Sequence, residues 1–425
     1  MILVAAVSAA TIAACGPSDP ESIGDGRAHK SIAPVVEIEW TPCGAIECAQ
    51  VEVPVDHSGQ QVSGDGFDAP TVKLSVFRRK STHRRARTLV LLPDRRFGQN
   101  ARSLVENAPL EFGAQSADFT LLSVAPRGSF DSPMPDGHES TVSTLDQVDD
   151  LESIRTDLGA KRLSVMGWGT GATVGAAWAM THPDRVSRLV LDSPMNPMSG
   201  PVEQARRQVA SVHNAVDAAF FFCASHLSCP MNANLAKFVN AFKLALRLGR
   251  VPEGADFETI ARAGTTALAN GDALLLFRSI GAAMDGNATT LLALAGVPPS
   301  DADAQAVCAD TGRSGAARAA TVFREYRLKK TRQFSIGTEG DIYARCASLP
   351  ETLRPLWGLK PLADSKGLSV HVTIARGDPV VPTWSARTMA RTMDWSYRSV
   401  IANRHLVIGF DEQATDDAFA FLSAD

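Results

Sequence analysis

The decisive stretch is Arg162-Leu163-Ser164-Val165-Met166, followed by Gly167-Trp168-Gly169-Thr170-Gly171 and then Ala172-Thr173-Val174-Gly175-Ala176-Ala177. A short apolar run gives way to a glycine-rich turn, and small residues suited to a helix follow. Strand, tight turn and helix is the setting of a nucleophile elbow, G-x-S-x-G, whose serine stands at the apex and points into a pocket. The flanking glycines allow a sharp turn and a close approach of helix to strand. Here the apex residue is Gly169. Glycine has no side chain to attack a carbonyl, and it relieves the backbone strain that a serine would bear. A dinucleotide-binding loop is the rival reading of such a turn. However, Gly167-x-Gly169-x-Gly171 lacks the G-x-G-x-x-G spacing and follows a late strand, not the first.

Outward from the elbow, apolar strands at 88–92, 120–124, 163–166 and 188–191 alternate with helical segments at about 100–112, 144–158 and 172–182. This alternation implies an α/β fold, a mostly parallel central sheet with helices on both faces. Helix 144–158 takes its N-cap from Ser143 or Thr144 and stops at Gly159. Upstream, 51–55 and 72–77 read as strands. The basic run from Arg78 to Arg87 then reads as a solvated hairpin turn, with a phosphate or lipid-headgroup patch as the alternative. Residues 201–364 are alanine-rich and helical in period. Strand signals return at 368–375 and 397–402, and a helix closes the chain at about 412–423. The expected organisation is a core of 35–200 and 365–425 with a helical lid, 201–364, inserted into it.

Hydrophobic content of 45% and charged content of 21% suit a globular chain, and a net charge of −4 argues against a nucleic-acid partner. Met1–Ala14 carries no charge and ends Ile12-Ala13-Ala14-Cys15-Gly16. A short apolar stretch before small residues is a signal-peptide pattern, here with a lipobox in which Cys15 would be acylated. The basic segment usual before such a stretch is absent, and ordinary secretory cleavage or a chance apolar leader is the alternative. Residues 16–34 read as a tether, so the protein is expected to be exported and held at the cell envelope by a lipid anchor. Beyond Cys15 the chain has Cys43, Cys48, Cys223, Cys229, Cys308 and Cys346, an even set that fits disulfides in an oxidising compartment. Many pairings are open. Joining near neighbours gives Cys43–Cys48 and Cys223–Cys229 and leaves Cys308–Cys346. A zinc site is the competing idea, but no CxxC pair or histidine cluster supports it. No metal or cofactor is expected.

Taken together, the motifs resemble the secreted α/β hydrolases of the proline iminopeptidase and tripeptidyl aminopeptidase group. The resemblance runs from Trp40 to the C-terminus. It rests on Trp40-x-x-Cys43 with Cys48, Val53-Pro54-Val55-Asp56, Pro126-Arg127-Gly128 with Ser132, and Asp150-Leu151-x-x-x-Arg155-x-x-Leu158-Gly159 with the elbow. Pro183-Asp184-Arg185-Val186, Leu191-Asp192, Cys223/Cys229, Cys308-Ala309-Asp310, Gly377-Asp378-Pro379 with Pro382, and His405 complete it. The resemblance implies the same cysteine pairs. It also implies a triad in the order serine, acid, histidine, with Asp378 as the acid and His405 as the base. Read alone, Asp378 could be turn chemistry before Pro379 and His405 a surface loop histidine.

The departures concern catalysis. Gly169 holds the nucleophile position. The family's loop after its third strand is rich in Gly and Pro, so that backbone N–H groups face a developing oxyanion. Here it reads Leu92-Pro93-Asp94-Arg95-Arg96-Phe97-Gly98, with Asp94, Arg95 and Arg96 at the oxyanion-loop positions beside Thr170. Ala125 stands where the family has an aspartate before Pro-Arg-Gly. Neither Thr170 nor Ser164 is expected to replace the missing serine. These features predict a catalytically silent relative that binds a peptide or lipid-like ligand or an envelope protein, with Arg95 and Arg96 at the mouth of the pocket. Hydrolysis by a non-standard nucleophile is the alternative. Trp168 is expected either to fill former substrate space or to pack in the core.

Overall fold

The computed structural model describes residues 38–57, 70–97, 99–231, 234–296, 301–329, 339–350 and 354–424. The expected leader, the tether and Cys15 lie outside these residues. Strands β1 (Thr41–Pro42), β2 (Glu47–Pro54), β3 (Thr71–Arg79), β4 (Arg87–Leu92), β5 (Phe119–Val124), β6 (Leu163–Trp168), β7 (Val186–Asp192), β8 (Val370–Ala375) and β9 (Ser396–Val400) form one sheet. Their order is β1-β2-β3-β5-β4-β6-β7-β8-β9. The β1–β2, β2–β3 and β3–β5 pairs are antiparallel, and every pair from β5–β4 onward is parallel.

The inner strands β4 to β7 are buried on both faces over most of their length, which is why they read as apolar runs, whereas the edge strand β9 is not. Side chains alternate between two cores. Leu89, Leu91, Met166, Trp168 and Val190 face one side, under Leu104, Val105, Phe112 and Phe419. Val90, Leu92, Val165, Leu189 and Leu191 face the other, under the helices Thr144–Asp157, Gly169–Thr181 and Thr383–Met393. Each fully buried aliphatic side chain contributes ~1.5–3 kcal/mol. Helix Thr144–Asp157 starts from a capping box: Asp146 N donates to Ser143 Oγ, and Ser143 N donates to Asp146 Oδ2. Ser143, not Thr144, is therefore the cap.

The basic run 78–87 is not a hairpin turn. β3 pairs with β5, and β4 lies along the other edge of β5, so the run is a crossover past β5. Several of its charges have structural partners. Arg78 pairs with Glu47 and lies over the Trp40 ring, Arg79 donates to the Val105 and Glu106 carbonyls, and Arg87 donates to the Ser423 carbonyl. Between β7 and β8 the described chain is helical, from Pro201–Ala224 to Glu339–Arg345, and encloses its own apolar core around Phe238, Phe242, Leu276, Phe277 and Ile280. Disulfides join Cys43 to Cys48, Cys223 to Cys229 and Cys308 to Cys346.

Candidate functional site

β6 ends at Trp168 and the next helix starts at Gly169, whose φ of +48° lies in the left-handed region. That conformation is what a nucleophile elbow requires at its apex. Two residues on, a Cβ at Gly171 would lie 2.2 Å from the Leu92 carbonyl oxygen, so only glycine lets this helix approach the end of β4. The elbow is therefore intact as backbone.

Asp378 follows β8 and His405 follows β9. His405 Nδ1 lies 2.9 Å from Asp378 Oδ2. The other carboxylate oxygen, Oδ1, accepts N–H bonds from Val380 and Val381. Asp378 thus serves both the turn and the histidine. The His405 loop is held from beneath by Asp192, which accepts from the backbone N–H of Val407 and Ile408, and by Ser193 Oγ, which donates to the His405 carbonyl. Burial raises Asp192 to about 7 despite these donors.

The sequence placed Asp94 in the oxyanion loop but did not pair it with His405. Asp94 Oδ2 lies 3.1 Å from His405 Nε2. A Cβ built on Gly169 would come within 2.3 Å of that same oxygen. The Asp94 carboxylate therefore fills the volume where a serine side chain would project. Its Oδ1 accepts from Arg96 N at 3.0 Å, from Thr170 Oγ1 at 3.2 Å and from Thr170 N at 3.4 Å. Those backbone donors are the ones an oxyanion would use. One carboxylate thus occupies both the nucleophile position and the oxyanion position, as a bound carboxylate product would.

The electrostatics follow from this sandwich. Burial alone would lower His405, but the Asp378 carboxylate, followed by the Asp94 hydrogen bond, raises it to about 10. Burial would raise Asp94, but the hydrogen bond and charge of His405 hold it below the usual carboxylate range. The resting state is an imidazolium between two carboxylates. An imidazolium cannot act as a base. Asp94 is 1% exposed, and the Phe97 ring lies edge-on to His405 at 5.1 Å.

The structure thus brings Gly169, Asp94, Thr170, His405 and Asp378 together. Arg95 and Arg96 line a cavity of about 600 Å³ between the sheet and the helical insertion, with Phe97, Thr170, Arg262 and Trp357. The Arg95 guanidinium also donates to the Arg127 and Gly128 carbonyls. Thr170 Oγ1 is engaged with Asp94 and with the backbone N–H of Arg95, and Ser164 is buried in β6. Trp168 does not fill substrate space. It is fully buried, stacks on Phe112 and donates to the Ile408 carbonyl on the opposite face of the sheet. Its period-2 relation to Met166 already carried that signal. Arg127 is a structural hub: it pairs with Asp150 and donates to the carbonyls of Pro54, Val55 and Thr141. Among the described residues, no group of three or more His, Cys, Asp or Glu could hold a metal ion.

A family model described as the alpha/beta hydrolase fold matches residues 102–263. The fold is that of an α/β hydrolase. Within that fold, the chain is 25% identical over 259 residues to serine protease Hip1 of Mycobacterium tuberculosis, covering 48% of each protein. The chain therefore spans about half the length of that relative. A 58-residue stretch is 40% identical to a proline iminopeptidase of Xylella fastidiosa, covering 14% of this chain and 18% of that protein. Among solved structures, a proline iminopeptidase-related protein from Thermus thermophilus aligns at 17% identity with a TM-score of 0.41, covering 88% of this chain and 97% of that one.

Proposed function

We propose that this protein is an exported lipoprotein of the cell envelope, anchored through Cys15, whose α/β-hydrolase fold binds a ligand and does not cleave it. The single observation that carries this reading is the Asp94 carboxylate in the place of the serine. A nucleophile is missing, the base is held protonated, and the oxyanion donors are already engaged. Removing a triad nucleophile leaves roughly 10³–10⁴-fold of catalysis over water, derived from the oxyanion site and substrate positioning. Here Asp94 occupies that residual machinery as well.

The cavity beside the site supports binding. It is concave, and its walls mix apolar side chains with Arg95, Arg96, Arg262 and several threonines. This chemistry suits a peptide or lipid-like ligand that carries an anionic group. The test is direct: incubate the full chain with a fluorophosphonate probe beside an active serine hydrolase. The reading expects no adduct, and a labelled serine would overturn it.

The contact between Asp94 and His405 also favours one alternative, a carboxylate nucleophile acting on saturated carbon. In that case an alkyl halide would leave an ester on the Asp94 peptide, detectable by mass spectrometry. Phe97 and the burial of Asp94 count against it.

A further inference from the structure

We propose that one corner of the helical insertion is a membrane-docking surface for anionic phospholipid. The corner is built on the Cys223–Cys229 disulfide, whose sulfurs are buried. The residues around it do the opposite of what a core requires: Phe221 is 69% exposed, Leu227 fully exposed, and Phe222 half-exposed beside the His226 ring. Aromatic and aliphatic side chains held outward by a covalent staple have no folding role that burial would supply.

A neighbouring helix is tied to this corner, and the next helix in sequence carries exposed cations and apolar groups of its own. The guanidinium of Arg278 donates to Ser228 Oγ, which places the helix Ala273–Met284 here, with Leu275 exposed one turn earlier. The helix Leu235–Arg247 begins shortly after Cys229. It turns Phe238, Val239, Phe242 and Ala245 inward and leaves Lys237, Leu244 and Arg247 outward, with Leu248 following.

Charge identifies the occupant. From Ala218 to Pro252 the sequence contains no Asp or Glu, but it carries Lys237, Lys243, Arg247 and Arg250. The chain as a whole has a net charge of −4, so this stretch runs against the overall balance. Cations interleaved with exposed apolar groups match a bilayer surface: the cations meet anionic headgroups and the rings enter the acyl boundary. A second copy of the same face would meet like charge. The inference stands apart from whether the hydrolase site is silent, because it uses none of that site's residues.

The experiment uses the full chain carrying Cys15→Ser, so that no acyl chain contributes. Sedimentation with vesicles of phosphatidylglycerol and phosphatidylcholine is compared with sedimentation in phosphatidylcholine alone. Binding is expected to the anionic vesicles only, and to fall sharply by about 0.5 M salt. Lys237→Glu with Arg247→Glu should lower partitioning by at least about tenfold. Phe221→Ser with Leu227→Ser should lower it by a similar factor, with melting curves unchanged in both variants. Three results would each overturn the proposal. These are no vesicle binding, binding that both variants retain, or concentration-dependent self-association in ultracentrifugation that the same substitutions abolish.

Discussion

Asp94 Oδ2 sits 3.1 Å from His405 Nε2 and within 2.3 Å of where a Cβ on Gly169 would stand. The two positions are therefore mutually exclusive: a carboxylate from the β4 loop or a side chain at the elbow, but not both.

Gly169→Ser should accordingly disturb the fold without restoring chemistry. The new Cβ meets the Asp94 carboxyl group, whose terminal oxygens are fixed by His405, Arg96 and Thr170. Overpacking of this kind costs about 1–3 kcal/mol. The expected outcome is a lower melting temperature and no fluorophosphonate adduct. Labelling of Ser at 169 in this single variant would show that Asp94 can move aside.

Asp94→Gly combined with Gly169→Ser should behave differently. The clash disappears, the N–H groups of Arg96 and Thr170 are released, and His405 loses one of the two carboxylates that hold its proton. The double variant should be more stable than Gly169→Ser alone, a non-additivity expected of residues in contact. It should also accept the probe, at a rate well below that of an active serine hydrolase. Strictly additive melting temperatures would refute the steric coupling.

Stability should fall in alkaline solution. The folded state holds the His405 proton up to about 10, whereas an unfolded histidine releases it near 6.5. The imidazolium therefore contributes fully below about pH 6.5, and its contribution is lost as pH rises through about 10. Asp192 and Asp310, both raised to about 7 by burial, titrate below this upper range. Melting temperatures measured from pH 8 to 10 should decline in the parent, and the decline should be shallower in His405→Gln. Parallel curves would sink the argument.

Arg127→Met tests the scaffold. The guanidinium is fully buried and is the partner of Asp150, whose carboxylate would be left in the core without its counter-charge. Breaking such a pair costs about 3–5 kcal/mol. An unfolding free energy from denaturant titration within about 1 kcal/mol of the parent would mean that His57 or water takes over.

Much of this molecule was legible in its sequence. The apolar runs became the parallel strands because burial on both faces demands them, and the glycines at 167, 169 and 171 announced a turn with no room for side chains. The sequence also pointed to Asp378 and His405, which meet on the sheet's C-terminal edge. What escaped was non-local. Asp94 reads as one charge among several in a loop; its meaning arises only when β4 and β6 lie side by side and the missing side chain at 169 leaves a hole of carboxylate size. A clue existed, since an acid had appeared two residues past one strand where its neighbour had lost a hydroxyl. The basic run 78–87 misled for a related reason. A short polar link between strands looks like a hairpin, and only the pairing of β5 with both β3 and β4 shows otherwise.

Asp310 of the insertion accepts from the backbone N–H and the hydroxyl of Thr144, while Arg354 pairs with Asp146 and Asp149 on the same helix. Swinging the insertion outward would strip the first turn of that helix of its counter-charge. The chamber beneath is therefore pinned at this side, where Asp310 and Thr144 both line its wall. A visitor entering on that side must pass a lip held to the sheet by charge, so its size and sign decide how readily it gets in.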